Sequence, residues 1–426
     1  MNSETTLFWF RRDLRIVDNV GLSRALQENN NVLPLFIFDS VILNELEKHD
    51  RRVDFIHQTL LHLKHSFEKQ GSSILILYGD PVEILTSLHP KAVYTNHDYE
   101  PYGRQRDETI KETFARANIP FVSFKDQVIF EKDEIIKDDG SPYTMYTPYS
   151  KKWKTNLDIS KIKIQKPNLS NLLRTPPLIF PTISEIGFEK TDIKFSLPKI
   201  DRNVLSNYSR NRDYPAQHGT SRLSVHLRFG TIGIRTLLGE ALKHGDKFLN
   251  ELIWRDFYQM ILYHFPATHK SFKPKYDRIE WRNNILEFNL WCKGKTGYPI
   301  VDAGMRELNS TGFMHNRVRM ITASFLTKHL LIDWRWGESY FAQKLLDFDL
   351  ASNNGGWQWA SGSGVDAAPY FRIFNPYLQT KKFDPENNYV KKWIPEFGSQ
   401  DYPKPIVDHE MARRRALDVY KRALTE

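Results

Sequence analysis

Over the first 124 residues, short apolar runs alternate with longer amphipathic segments. Residues 7–10, 32–38, 73–77, 92–96 and 121–124 have the length and the β-branched or aromatic content of buried strands. Between them, residues 51–70 set Val53, Ile56, Leu60, Leu61, Leu63 and Phe67 on one apolar stripe, and Pro81 stands where the first turn of another helix tolerates a missing N–H. That alternation predicts a doubly wound parallel sheet. From 125 to about 203 the periodicity fades, and Pro142, Pro148, Pro167, Pro176, Pro177, Pro181 and Pro198 break up what helix could form, so the stretch reads as a long connection. After Leu205 helical spacing returns, over 234–242, 248–265, 298–310, 313–331, 336–348 and 411–424. The expected fold class is α/β plus all-α: a Rossmann-like parallel-sheet domain at 1–130, a linker at 131–204 and a helical domain at 205–426.

At 426 residues the chain exceeds the size at which one core usually keeps growing, which agrees with two domains. A formal charge of +9 favours a polyanionic partner, although evenly spread cations give the same sum. Eight of the ten tryptophans lie from Trp254 onward, so indole is concentrated in the helical half. The lone Cys292 excludes an internal disulfide, a zinc-finger spacing and a CxxC redox motif. With no apolar run of signal-peptide or membrane-span length either, the expectation is a cytoplasmic monomer that needs no membrane and no metal.

Several stretches carry candidate chemistry. Gly219-Thr220-Ser221-Arg222-Leu223-Ser224 places a glycine and small hydroxyls ahead of an apolar helix, where they either cap it or hold phosphates. In 250–257, Glu251, Trp254 and Arg255 share one helical face, and in 314–320 Asn316 and Met320 fall one turn apart; each alone is an ordinary surface pair or core position. Asp347 and Asp349 precede Asn353 by six and four positions, so two carboxylates and an amide can converge at one helix end, with Arg319 able to neutralise Asp347. Buried without partners they would be costly. The last stretch is the longest: Asn353-Asn354-Gly355-Gly356-Trp357-Gln358-Trp359, then Asp366-Ala367-Ala368-Pro369-Tyr370-Phe371-Arg372-Ile373-Phe374-Asn375-Pro376.

Taken in order with Phe8-Trp9-Phe10-Arg11-Arg12-Asp13-Leu14-Arg15, Gly297 to Val301, Asn309 to Thr322 and Ile406-Val407-Asp408-His409, these segments resemble the photolyase and cryptochrome family. Within it the resemblance is to the bacterial enzymes that repair cyclobutane pyrimidine dimers. It implies FAD held by Tyr208, Thr220, Ser221, Arg222, Leu223, Ser224, Glu251, Arg255, Asn316, Arg319, Asp347, Asp349 and Asn353, with Asn353 facing flavin N5. Phe248 and Phe313 replace two family aromatics near the cofactor, keeping their bulk and losing an indole donor. The resemblance implies lesion contacts at Glu251, Trp254, Asn316, Met320 and Trp359, and an electron relay through Trp357, Trp334 and Trp281; Trp9, Trp153, Trp291 and Trp393 stay ordinary core. Arg212, Arg317 and Arg372 match positions that grip DNA phosphates.

The implied reaction is light-driven. Reduced FAD gives an electron to a dimer flipped out of UV-damaged duplex or single-stranded DNA, both linking bonds break, and the electron returns. A second, light-harvesting chromophore of folate, deazaflavin or flavin type is common in the family; Glu100-Pro101-Tyr102-Gly103-Arg104 replaces the Asn-Glu pair of the best-known folate-type enzymes. The main alternative is a cryptochrome, a signalling photoreceptor whose usual long C-terminal tail is not expected here. A dark nicotinamide-dependent oxidoreductase is disfavoured because no GxGxxG follows the first strand.

Overall fold

The structure is a computed structural model that describes residues 4–425. Five parallel strands, β1 (Thr6–Phe10), β2 (Val32–Asp39), β3 (Leu75–Gly79), β4 (Ala92–Asn96) and β5 (Phe121–Phe124), lie in the order β3-β2-β1-β4-β5. β1, β2 and β4 are buried along their whole length, which is why they read as continuous apolar runs rather than alternating ones. The doubly wound expectation holds, with the direction of winding reversing between β1 and β4. β3 starts two residues later than expected, because Leu35 of β2 pairs with Leu75 and so fixes where the ladder begins. Helix Arg51–Glu68 opens under an Asp50 cap and buries Val53, Leu60, Leu63 and Phe67. Leu61, placed on the same stripe by the sequence reading, is instead exposed, since it lies about 100° around the helix from Leu60. Pro81 opens helix Pro81–Leu88 under an Asp80 cap, as expected.

The chain forms two compact units that are not contiguous in sequence. The first takes residues through Ile135, then Trp153–Ile200 and Arg222–Leu252. Its layers are tied by a buried ionic cluster in which Arg235 and Arg15 both bond to Asp126 at 2.6 Å and Arg235 also bonds to Asp18 at 2.6 Å. The second takes Ile136–Lys152, Asp201–Ser221 and Ile253 onward. Its core gathers Trp291, Tyr298, Met305, Met314, Phe325, Trp334, Phe341 and Trp357.

Three helical expectations need correction. A helix, Tyr146–Asn156, forms inside the stretch read as too proline-rich to hold one; Pro148 sits in its first turn, where backbone N–H groups have no intrahelical partner to lose. The single helix expected over 313–331 is broken. It runs as Asn316–Ser324, started by the His315 ring accepting from the Arg317 N–H at 3.1 Å, and then widens into a π turn, Phe325–His329, closed by Leu330 N–H to Phe325 O at 3.1 Å. The helix expected from 336 begins earlier, at Trp334, because the Asp333 side chain caps it, and it ends at Lys344. Among the described residues no helix is long and apolar enough to cross a membrane.

Candidate functional site

Helix Leu350–Ser361 organises the polar candidates of the second unit. Asp349 is its N-cap: the carboxylate accepts from the Ser352 N–H at 3.0 Å, and its carbonyl accepts from the Asn353 N–H at 2.8 Å. Gln259 donates to both Asp349 oxygens, at 3.2 and 3.0 Å, while its own Oε1 is buried without a hydrogen-bond partner. Asn353 is buried and its amide nitrogen donates to the carbonyl and the carboxylate of Glu338, at 3.1 and 2.9 Å. Burial pushes the Glu338 carboxyl above its ordinary range, and the Asn353 bond offsets only part of that. Sequence reasoning missed Glu338. The available signal was its position one turn after Trp334 on helix Trp334–Lys344.

Trp357 lies one turn beyond Asn353 on the same helix and is buried. Its ring presses on Gly337, where any Cβ would overlap it, and meets Phe341 at 5.0 Å and Trp291 at 6.1 Å between centroids. Trp334 is buried in the same core, and Trp281 and Trp359 pack against that core half-buried. Trp281 also meets Tyr420 edge-on at 5.9 Å. Trp9, Trp153 and Trp291 are fully buried and Trp393 partly so.

Arg319 and Asp347 pair at 3.0 and 2.9 Å, and the Arg319 Nε–H donates to the Met314 carbonyl at 2.7 Å. On that same helix Asn316 is exposed and Met320 half-buried. Arg317 bonds to Asp213 at 2.7 Å and approaches the Met320 sulfur at 3.8 Å, while Arg212 lies 4.0 Å from the same Asp213. One carboxylate thus gathers two of the three arginines expected to hold phosphates. Arg372 stands apart, exposed, with its guanidinium over Phe374 at 5.5 Å.

Helix Asp246–His264 carries Glu251, Trp254 and Arg255, all half-buried, and the buried Phe248. In the second unit Tyr208, Thr220 and Ser221 are half-buried, and the Arg212 guanidinium lies 5.6 Å over the Tyr208 ring. In the first unit Arg222, in a left-handed turn at φ 52°, and Ser224 are exposed, whereas Leu223 is buried. Ser224 begins a five-residue helix whose N-cap residue, Leu223, makes no side-chain cap bond. Also in the first unit, Glu100 accepts from Arg12 and Arg228 at 2.7 and 2.8 Å, and Tyr102 and Arg106 both bond to Asp39.

A cavity of about 490 Å³ in the second unit opens on another face of helix Leu350–Ser361, lined by Tyr258, Phe265, Ala351, Asn354, Gly355 and Gln358 among others. It is not built from the candidate residues. The face they use has a different character. A Cβ placed on Gly356 would meet nothing within 4 Å, Gln259 brings a buried acceptor with no donor, and Asn353 and the Arg319–Asp347 pair supply amide, cation and carboxylate. A planar heterocycle with ring N–H groups and sugar hydroxyls matches that set, so these residues fit an FAD.

Comparison with known proteins gives a consistent result. A family described as DNA photolyase matches residues 6–168, and one described as the FAD binding domain of DNA photolyase matches residues 248–400. The deoxyribodipyrimidine photo-lyase of Synechococcus is 38% identical, the alignment covering 97% of this chain and 96% of that one. Among solved structures, a class III photolyase from Agrobacterium tumefaciens superposes with a TM-score of 0.89 at 33% identity, covering 100% of this chain and 99% of that one. An archaeal photolyase from Sulfolobus tokodaii, with two FAD molecules and the implication of a novel light-harvesting cofactor, gives 0.84 at 35% identity over 98% and 100%. A cryptochrome from Synechocystis gives 0.83 at 25% identity over 97% and 99%.

Proposed function

The chain belongs to the DNA photolyase family, and on that premise we propose that it is a deoxyribodipyrimidine photo-lyase, a light-dependent DNA-repair flavoenzyme acting on cyclobutane pyrimidine dimers. The observation that carries this reading is 38% identity to an enzyme of that name along almost the whole of both chains. The bound cofactor is FAD, which in its reduced form, excited by blue or near-ultraviolet light, supplies the electron that splits the dimer.

The chain's own residues do the rest. Asp347, neutralised by Arg319, and Asp349, fixed as a helix cap and by Gln259, keep two carboxylates in place for the cofactor's hydrogen-bond donors. Asn353 is aimed by Glu338. Glu251 and Asn316 bond the polar edges of the flipped pyrimidines, and Trp254, Met320 and Trp359 pack against their faces and exclude water. Arg212, Arg317 and Arg372 grip phosphates without reading sequence, as a search for lesions anywhere requires. Trp357, Trp334 and Trp281 carry electrons inward when bound flavin is oxidised. By the same relationship, a second pigment of folate, deazaflavin or flavin type is part of the proposal, and an absorption band beyond those of one FAD per chain would reveal it.

The test is recovery of thymine absorbance in an ultraviolet-irradiated oligonucleotide under blue light. Wild type restores it, and Glu251→Ala retains FAD but loses at least about tenfold in repair, the loss expected when one fixed donor or acceptor at developing charge is removed. Wild-type protein that holds FAD and leaves lesions untouched would instead favour the cryptochrome reading, which the more distant likeness to the Synechocystis protein supports less.

A further inference from the structure

Resting on that reading, we infer that Tyr146, which stacks on Trp254, is a positioning residue for lesion recognition: it holds the indole so that its opposite face is presented, already oriented, to the extruded pyrimidine. The two rings are parallel within 2° at 3.7 Å between centroids. Phe257 meets the same indole edge-on at 5.6 Å and 81°, and Tyr258 lies against it at 5.4 Å, so Trp254 is constrained from several sides and yet stays half-buried. Tyr146 is itself anchored. It is the first residue of helix Tyr146–Asn156, its N–H donates to the Asp366 carboxylate at 3.4 Å, and Tyr149, one turn later and fully buried, packs on Phe257 at 5.1 Å.

A free tryptophan has two side-chain dihedrals to lose when a base stacks on it. One already held by a ring stacked on one face and by neighbouring rings against it has lost much of that freedom beforehand, so more of the stacking on its other face appears as affinity. The held ring cannot discriminate among sequences, because every base has a π face; it discriminates between a base that is out of the helix and one that is not.

The experiment uses flavin-loaded full-length protein and one oligonucleotide with or without a single thymine dimer. Tyr146→Leu, which keeps bulk and removes the ring, is expected to weaken binding of the damaged oligonucleotide roughly three- to tenfold, the worth of one aromatic pair. Binding of the undamaged oligonucleotide and the repair yield at saturating damaged DNA stay at wild-type level, and Tyr146→Phe restores the affinity. Unchanged or tighter binding by Tyr146→Leu, equal loss on both DNAs, or equal loss in Tyr146→Phe would each overturn the inference. Wild-type protein that neither prefers nor repairs the damaged strand would overturn the functional reading beneath it, a result distinct from all of these.

Discussion

Asn353 and Trp357 were legible as residues of interest from their motif, but what holds each of them was not. Asn353 depends on Glu338 and Trp357 on Gly337, two neighbours on helix Trp334–Lys344 that lie 15 and 20 positions earlier. A glycine inside a helix normally costs stability, and here the reason for it is steric: the Trp357 ring occupies the place of its side chain. Gly337→Ala is therefore expected to lose about 1–3 kcal/mol by overpacking, against the small gain alanine would give in an open helix. Thermal melting measures the loss. Photoreduction of bound oxidised flavin should slow in the same variant if Trp357 is displaced, since electron transfer depends on where that indole sits.

Elements explain where local reading worked. Strands buried on both faces, and helices such as Arg51–Glu68 with strong caps, announced themselves, because their partners impose a pattern that repeats along the chain. The stretch 131–204 did not: its segment Ile136–Lys152 belongs to the second unit, and a short helix there brings Tyr146 to Trp254. Prolines suggested irregularity, correctly for most of the stretch, but one proline in a first turn is no obstacle. The π turn Phe325–His329 was equally invisible, since all five of its residues are buried and there is no polar face whose shift would mark the wider turn. The three candidate relay tryptophans come from a loop at Trp281, the start of helix Trp334–Lys344 and the middle of helix Leu350–Ser361. Trp281→Phe is expected to slow flavin photoreduction at least about tenfold while leaving repair by pre-reduced enzyme intact, because phenylalanine packs in the site but is far harder to oxidise. Equal photoreduction in the variant removes Trp281 from the relay.

For the whole molecule, the consequence most open to measurement is acid sensitivity. Burial, and the neighbouring His409 and Arg415, depress the His329 imidazole from 6.5 to about 3, and burial takes His226 to about 4. Between those values and 6.5 the unfolded chain binds protons that the folded one does not, so stability is lost as pH falls through that window and is retained above it. For His329 the slope is up to about 1.4 kcal/mol per pH unit. Melting temperature should fall from pH 7.5 to pH 5, and the fall should be shallower in His329→Phe, whose ring can keep the contacts with Phe325 and Tyr298. A slope identical to wild type would place the sensitivity elsewhere. Hydrophobic period and turn chemistry were enough to give the fold class, and residue types in fixed order carried the family resemblance, which in turn implied the cofactor, because pattern and motif are both written in neighbouring positions. Pairings between distant segments were settled only by packing: Asp213 holding Arg317, Glu338 holding Asn353, and Tyr146 backing Trp254. A side chain's partner across the core depends on how elements meet in three dimensions, and no spacing along the chain encodes that meeting.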